Sequence, residues 1–181
     1  LGDGLDEDAY GVRMMADRLP ELVIASSCSK NFGLYRERTG SITFITETPE
    51  QADIVAAQAM SVARQIYSMP PAHGALLVSL ILGDKQLRAN WEAELTEVRT
   101  RIQSMRSLLA DNIQQNAAGI DFSHIKQQKG MFSFLGLNTA QLDQLRDEFG
   151  IYIVSSSRVN LAGINSSNID YLSDSIISVL K

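Results

Sequence analysis

The chain has 181 residues, with 16 basic and 21 acidic side chains and a net charge of -5. Its 45% hydrophobic and 20% charged content allows a sizeable core and excludes intrinsic disorder, and the lack of a basic excess argues against nucleic-acid binding. The longest nearly uninterrupted apolar stretch, Ala75 to Leu82, falls far short of the roughly 20 residues needed to cross a bilayer, so no membrane span is expected. The one cysteine, Cys28, cannot form an internal disulfide, which favours a reducing, cytoplasmic setting. The first residue is Leu1 rather than methionine, so a targeting segment ahead of it stays compatible with the sequence.

In chain order, Asp6 to Leu19 reads as a helix stopped by Pro20. Glu21 to Ala25 reads as a buried strand that empties into the polar loop Ser26-Ser27-Cys28-Ser29, and Ser41 to Thr46 reads as a second strand. Thr48-Pro49-Glu50-Gln51 combines a capping hydroxyl, a proline at the first helical position and a glutamine at N3, predicting a helix that runs toward Ile66. Pro70-Pro71 breaks the chain, Gly74 to Leu82 is expected to be a buried helix, and Asp84 should cap a much longer one. In that helix Leu87, Trp91, Leu95, Val98, Ile102, Met105, Leu109 and Ile113 form one apolar stripe, suited to a domain-spanning core helix. Beyond Asp121 the pattern predicts strands at Met131 to Leu135, Ile151 to Val154 and Val159 to Ala162, with helices at Thr139 to Phe149 and Ser166 to Leu180. No repeat, zinc-ligand spacing, glycine-rich phosphate loop or nucleophile elbow is present, and His73 and His124 stand alone.

The chemistry is concentrated between Ser27 and Gly40. Lys30 lies just past a strand end, where α/β sheets place ligand sites, among hydroxyls, glycines and two arginines. A lysine whose amine is neutral can attack a carbonyl carbon. Arg38 can return to the same strand mouth and offer its planar fork to an anion, with Ser27 and Ser29 as further donors. Each feature by itself is ordinary surface chemistry.

Taken together, the stretch Ser27-x-Ser29-Lys30-Asn31-Phe32-Gly33-Leu34-Tyr35-x-Glu37-Arg38-x-Gly40 resembles the cofactor-lysine signature of class I pyridoxal-phosphate-dependent aminotransferases, in particular the aspartate and aromatic amino acid group. The resemblance continues through Arg64-x-x-Tyr67-Ser68-x-Pro70-Pro71-x-x-Gly74, Gly130-Met131-Phe132-Ser133-Phe134 and Ser157-Arg158-Val159-Asn160-Leu161-Ala162-Gly163. It implies an α/β chain of the fold-type I class: a C-terminal remnant of the large cofactor domain over residues 1–83, a long interdomain helix over 84–120 and an α+β small domain over 121–181.

The resemblance further implies that Lys30 holds pyridoxal 5'-phosphate covalently and then moves the proton at the substrate Cα. Ser27 and Arg38 would bind the cofactor phosphate. Arg158 would clamp the α-carboxylate, Arg64 would reach the other subunit of a homodimer to meet a distal carboxylate, and Phe132 would line the pocket. The reaction implied is exchange of an amino group between L-aspartate or L-glutamate and a 2-oxo acid. An aromatic amino acid aminotransferase is the near alternative, and a truncated, non-catalytic aminotransferase-like partner the more distant one, although no helix-turn-helix pattern supports a regulatory form. Cys28 stands where the family commonly has an aromatic residue. The family's pyridine-nitrogen aspartate, O3' tyrosine and phosphate loop have no counterpart here, so the sequence is expected to represent under half of a subunit, inactive alone.

Overall fold

The computed structural model describes residues 1–117 and 119–181. Two compact units result, one formed by Leu5–Leu95 and the other by Leu1–Gly4 with Thr96–Lys181. Among the described residues no helix is long and apolar enough to cross a membrane.

The unit Leu5–Leu95 begins with α1 (Leu5–Arg18), whose acidic first turn and Arg18 in the last turn complement the helix dipole. Strands β1 (Leu22–Ser27) and β2 (Gly40–Ile45) pair antiparallel, from Leu22 opposite Ile45 to Ser27 opposite Gly40. Helix α2 (Pro49–Tyr67) starts on the predicted capping box: the Gln51 amide donates to Thr48 Oγ1, and the Gln51 side chain accepts from the Thr48 amide, each at 3.3 Å. Helix α3 (His73–Gly83) forms where expected but is not buried: Gly74 is its only buried residue, and Leu76 and Leu80 are 65% and 61% exposed. A helix apolar on all sides is buried only where elements cover all its faces, and within this unit none covers that face.

Helix α4 (Lys85–Asn116) is capped as predicted, with Asp84 Oδ1 accepting from the amides of Gln86 and Leu87 at 2.8 and 2.9 Å. Its stripe is buried unevenly. Leu87 and Val98 are exposed and Trp91 and Leu95 half-buried, whereas Ile102, Leu109 and Ile113 are wholly buried.

Those last residues belong to the second unit, where the buried hydrophobic core lies. Around them pack a short helix α5 (Ser123–Gln127) not predicted from sequence, β3 (Phe132–Phe134), α6 (Thr139–Phe149), β4 (Arg158–Asn160) and α7 (Ile169–Leu180). Helix α6 ends on Gly150 in the left-handed region, φ 64°, whose amide bonds back to Arg146 O. The predicted strand at Ile151 to Val154 is not one. Its alternation is real, with Ile151 and Ile153 toward the core and Tyr152 and Val154 exposed, but it has no partner strand among the described residues. The Ile151 amide is instead used by Leu145 O at 2.9 Å. The strand predicted at Val159 to Ala162 is shorter and earlier: β4 pairs antiparallel with β3, and Asn160 Oδ1 then accepts from the Ala162 amide at 3.1 Å and turns the chain into a 3-10 turn, Leu161–Gly163.

This contrast in burial fixes where truncations hurt. Leu145→Ala, at a fully buried position, should cost about 3 kcal/mol, whereas Leu80→Ala should stay within about 0.5 kcal/mol. Urea unfolding of the two variants checks this, and comparable costs would contradict the assignment of the core to the second unit.

Candidate active site

Strand β1 ends at Ser27, and the chain turns immediately, with the Phe32 amide bonded to Cys28 O at 3.2 Å. Lys30 is carried exposed on this turn. Four contacts fix its backbone. The Cys28 amide donates to Thr39 O at 3.0 Å, Ser27 pairs with Gly40, Trp91 Nε1 donates to Asn31 O at 2.7 Å, and the Phe32 and Trp91 rings stack with centroids 4.6 Å apart. Lysine thus sits at a strand end on a turn anchored from both sides.

Around Lys30 the donors gather. Its Nζ lies 5.4 Å from the centroid of the Tyr35 ring, and Arg38 donates through Nη1 to Tyr35 O at 3.1 Å. Tyr35 therefore links the amine and the guanidinium, a role the sequence signature does not announce. Ser27 Oγ donates to Ser29 Oγ at 3.1 Å, and accepts from the Ser29 amide at 3.2 Å. Asn31 Oδ1 is buried without a hydrogen-bond partner. The nearby carboxylate, Glu37, is engaged with His73 Nδ1 at 3.0 Å. An amine, two hydroxyls and a guanidinium suit a phosphate ester that carries an electrophilic carbonyl. Arg64, in the last turn of α2 before a cap at Ser68, is exposed, with no hydrogen bond or ion pair to its guanidinium among the described residues.

The second unit holds a different arrangement. Arg158 faces Phe134 across the β3–β4 ladder, but its guanidinium lies over the diagonal neighbour Phe132, 4.6 Å from the ring centroid. It has no ion pair or hydrogen bond among the described residues and opens onto a cavity of about 390 Å³ lined by Phe132, Ile151, Tyr152, Asn160, Tyr171 and other residues of this unit. A guanidinium over an aromatic ring with its donors unpaired is prepared for a carboxylate.

Beneath Phe132 lies a group that sequence reading passed over. Arg106 is 3% exposed, and its guanidinium donates to Ser133 Oγ, to Gly130 O and, at 3.4 Å, to Ile125 O. Burial pushes it below the ordinary arginine value. Its one sequence signal was an arginine between Met105 and Leu109 on a helix otherwise read for its apolar stripe. Among the described residues no cluster suits a metal ion.

Comparison with known proteins agrees with this chemistry. The family model described as aminotransferase class I and II matches residues 2–176. An aspartate aminotransferase of Haemophilus influenzae is 51% identical over 180 residues, covering 99% of this chain and 46% of the relative. A solved aromatic amino acid aminotransferase of Psychrobacter sp. B6, cocrystallised with aspartic acid, superposes with a TM-score of 0.95 at 41% identity, over 99% of this chain and 45% of that one. One from Burkholderia pseudomallei, covalently bound to pyridoxal phosphate, superposes with a TM-score of 0.94 at 42% identity, over the same shares. The chain thus spans under half the length of the relatives it matches. With matching motifs, fold and family model, the chain belongs to the class I and II aminotransferases.

Proposed function

We propose that this chain supplies the lysine-bearing and carboxylate-binding parts of an aminotransferase that exchanges an amino group between L-aspartate or L-glutamate and 2-oxo acids. What supports the reading is the anchored turn that carries Lys30, with its amine over the Tyr35 ring and Arg38 bonded to Tyr35 O. Ser27 and Arg38 would hold the phosphate of pyridoxal 5'-phosphate, and Lys30 would hold its aldehyde end. When bound, this cofactor supplies the electron sink for negative charge developing at the substrate Cα.

The remaining work is done by the chain's own side chains. Lys30, once the substrate's own amine has displaced it, accepts the proton leaving the substrate Cα and delivers it away from that carbon. Arg158 fixes the α-carboxylate in a bidentate grip, so that the Cα–H bond is presented in one orientation. Phe132 supports that guanidinium from its ring and bounds the substrate. Arg64 meets the distal carboxylate from the neighbouring subunit of a homodimer, an assembly supported by the exposed apolar side chains of α2 and α3, among them Ile54, Met60, Leu76 and Leu80. A cytoplasmic setting is in keeping with the single cysteine. Residues 1–83 fit a share of a large cofactor domain, 84–120 a connecting helix and 121–181 a small domain.

The test joins the chain to the portion of the Haemophilus influenzae enzyme that it does not match. Amino transfer from aspartate to 2-oxoglutarate, with a borohydride-trapped pyridoxyl group at Lys30, is expected. A folded chimera that transfers nothing, or traps the cofactor at other lysines, overturns the reading.

In the same chimera Arg158→Lys should weaken kcat/KM about 10- to 100-fold for every amino acid, since a point charge replaces a bidentate fork. Arg64→Leu should do so only for the dicarboxylic substrates, aspartate and glutamate. The aromatic preference has support in relatives of that name, and phenylalanine kinetics that exceed those of aspartate and ignore Arg64→Leu would favour it.

A further inference from the structure

We propose that His73 and Gly74, at the start of α3, are positioning residues that set the backbone of Arg38 and so the anion-binding power of the Lys30 turn. The inference rests on the reading of Arg38 as a phosphate ligand and names what holds it there.

Arg38 has φ 52°, in the left-handed region that a residue with a side chain occupies only when its neighbours over-determine it. Both neighbours are held. Thr39 O accepts from the Cys28 amide at 3.0 Å, and Thr39 Oγ1 donates to Glu37 O at 3.3 Å. The Glu37 carboxylate is fixed by His73 Nδ1 at 3.0 Å. Gly74, next along α3, is buried against the same two residues: a Cβ there would lie 2.8 Å from Glu37 Cβ and closer still to Thr39 Oγ1.

The N-terminal residues of α3 thus press on Glu37 and Thr39 at once, with Arg38 between them. Two of these contacts need particular residues. Glycine permits the approach at 74, and the contact from 73 needs a side chain able to donate to the Glu37 carboxylate. Neither residue touches the amine of Lys30, so both act on the phosphate end alone.

The experiment uses the full 181-residue chain and two probes, pyridoxal 5'-phosphate and 5'-deoxypyridoxal, which both carry a free aldehyde that no internal hydroxyl can mask and differ in the phosphate. Borohydride reduction followed by peptide mass analysis gives the probe concentration that half-labels Lys30. The phosphorylated probe should label it at a concentration about tenfold lower, as one charge-assisted anion contact would give. Gly74→Ala should bring that ratio close to one while leaving the 5'-deoxypyridoxal value unchanged. His73→Ala should lower it partway, and His73→Gln, which can still donate to Glu37, should restore it.

A ratio retained in both Gly74→Ala and His73→Ala overturns the inference and leaves the proposed role of Arg38 standing. A parent chain without any preference for the phosphorylated probe defeats both. Because His73→Ala and His73→Gln differ only in the bond to Glu37, misfolding of Gly74→Ala would not remove the test.

Discussion

Replacing Lys30 by alanine in the chimera is expected to lower the rate of amino transfer on the order of 10⁴-fold, the upper end of what a positioned proton-transfer group contributes. The loss should be chemical rather than structural. Lys30 is exposed, and its turn is held by the Cys28–Thr39 bond, the Trp91 bond to Asn31 O and the Phe32–Trp91 stack, none of which uses its side chain. Unfolding midpoints should therefore agree within about 0.5 kcal/mol between parent and variant. Lys30→Arg is expected to lose as much rate, because a guanidinium that titrates above about 12 cannot give and take a proton near neutrality. Stopped-flow absorbance with aspartate measures the step, and a Lys30→Ala protein within tenfold of the parent would remove Lys30 from the mechanism.

The second large effect is on stability. Arg106→Met should cost the 181-residue chain about 3 kcal/mol, visible as a lower urea midpoint. The methionine fills much of the volume but leaves Ser133 Oγ, Gly130 O and Ile125 O without their shared donor, and each unsatisfied buried acceptor costs about 1–3 kcal/mol. Part of this is returned, since burying the guanidinium is itself unfavourable, as its lowered pKa indicates. Arg106→Lys should recover little, because one ammonium on a flexible stem cannot span three acceptors on different residues. A shift below about 1 kcal/mol for Arg106→Met would mean that Arg106 is not holding the Gly130–Ser133 segment.

What the sequence discloses depends on how locally each feature is determined. The Thr48–Gln51 capping box and the Gly150 stop are written within a few residues, and both appear as read. The motif around Lys30 is legible because its chemistry is strung along one short segment. Burial of α3 and pairing at Ile151 to Val154 depend on elements distant in sequence. An apolar run specifies that cover is wanted, and alternation specifies a half-buried segment, without naming the covering or pairing element. Arg106 was hidden for a related reason. A charged residue on a long amphipathic helix reads as part of its solvated face, and only the fold reveals that its fork ends on Gly130 and Ser133.

The stack of Arg158 on Phe132 bears on how substrate range can change over time. The Phe132 ring lies against the guanidinium, and its strand position is next to Ser133, whose hydroxyl accepts from Arg106. On the proposed function, a substitution at Phe132 that makes room for a larger amino acid would also loosen the arginine assigned to every substrate's α-carboxylate. Such a chain pays for a new specificity with general efficiency, so new preferences are expected to arise at other lining positions first, with Phe132 among the last to vary.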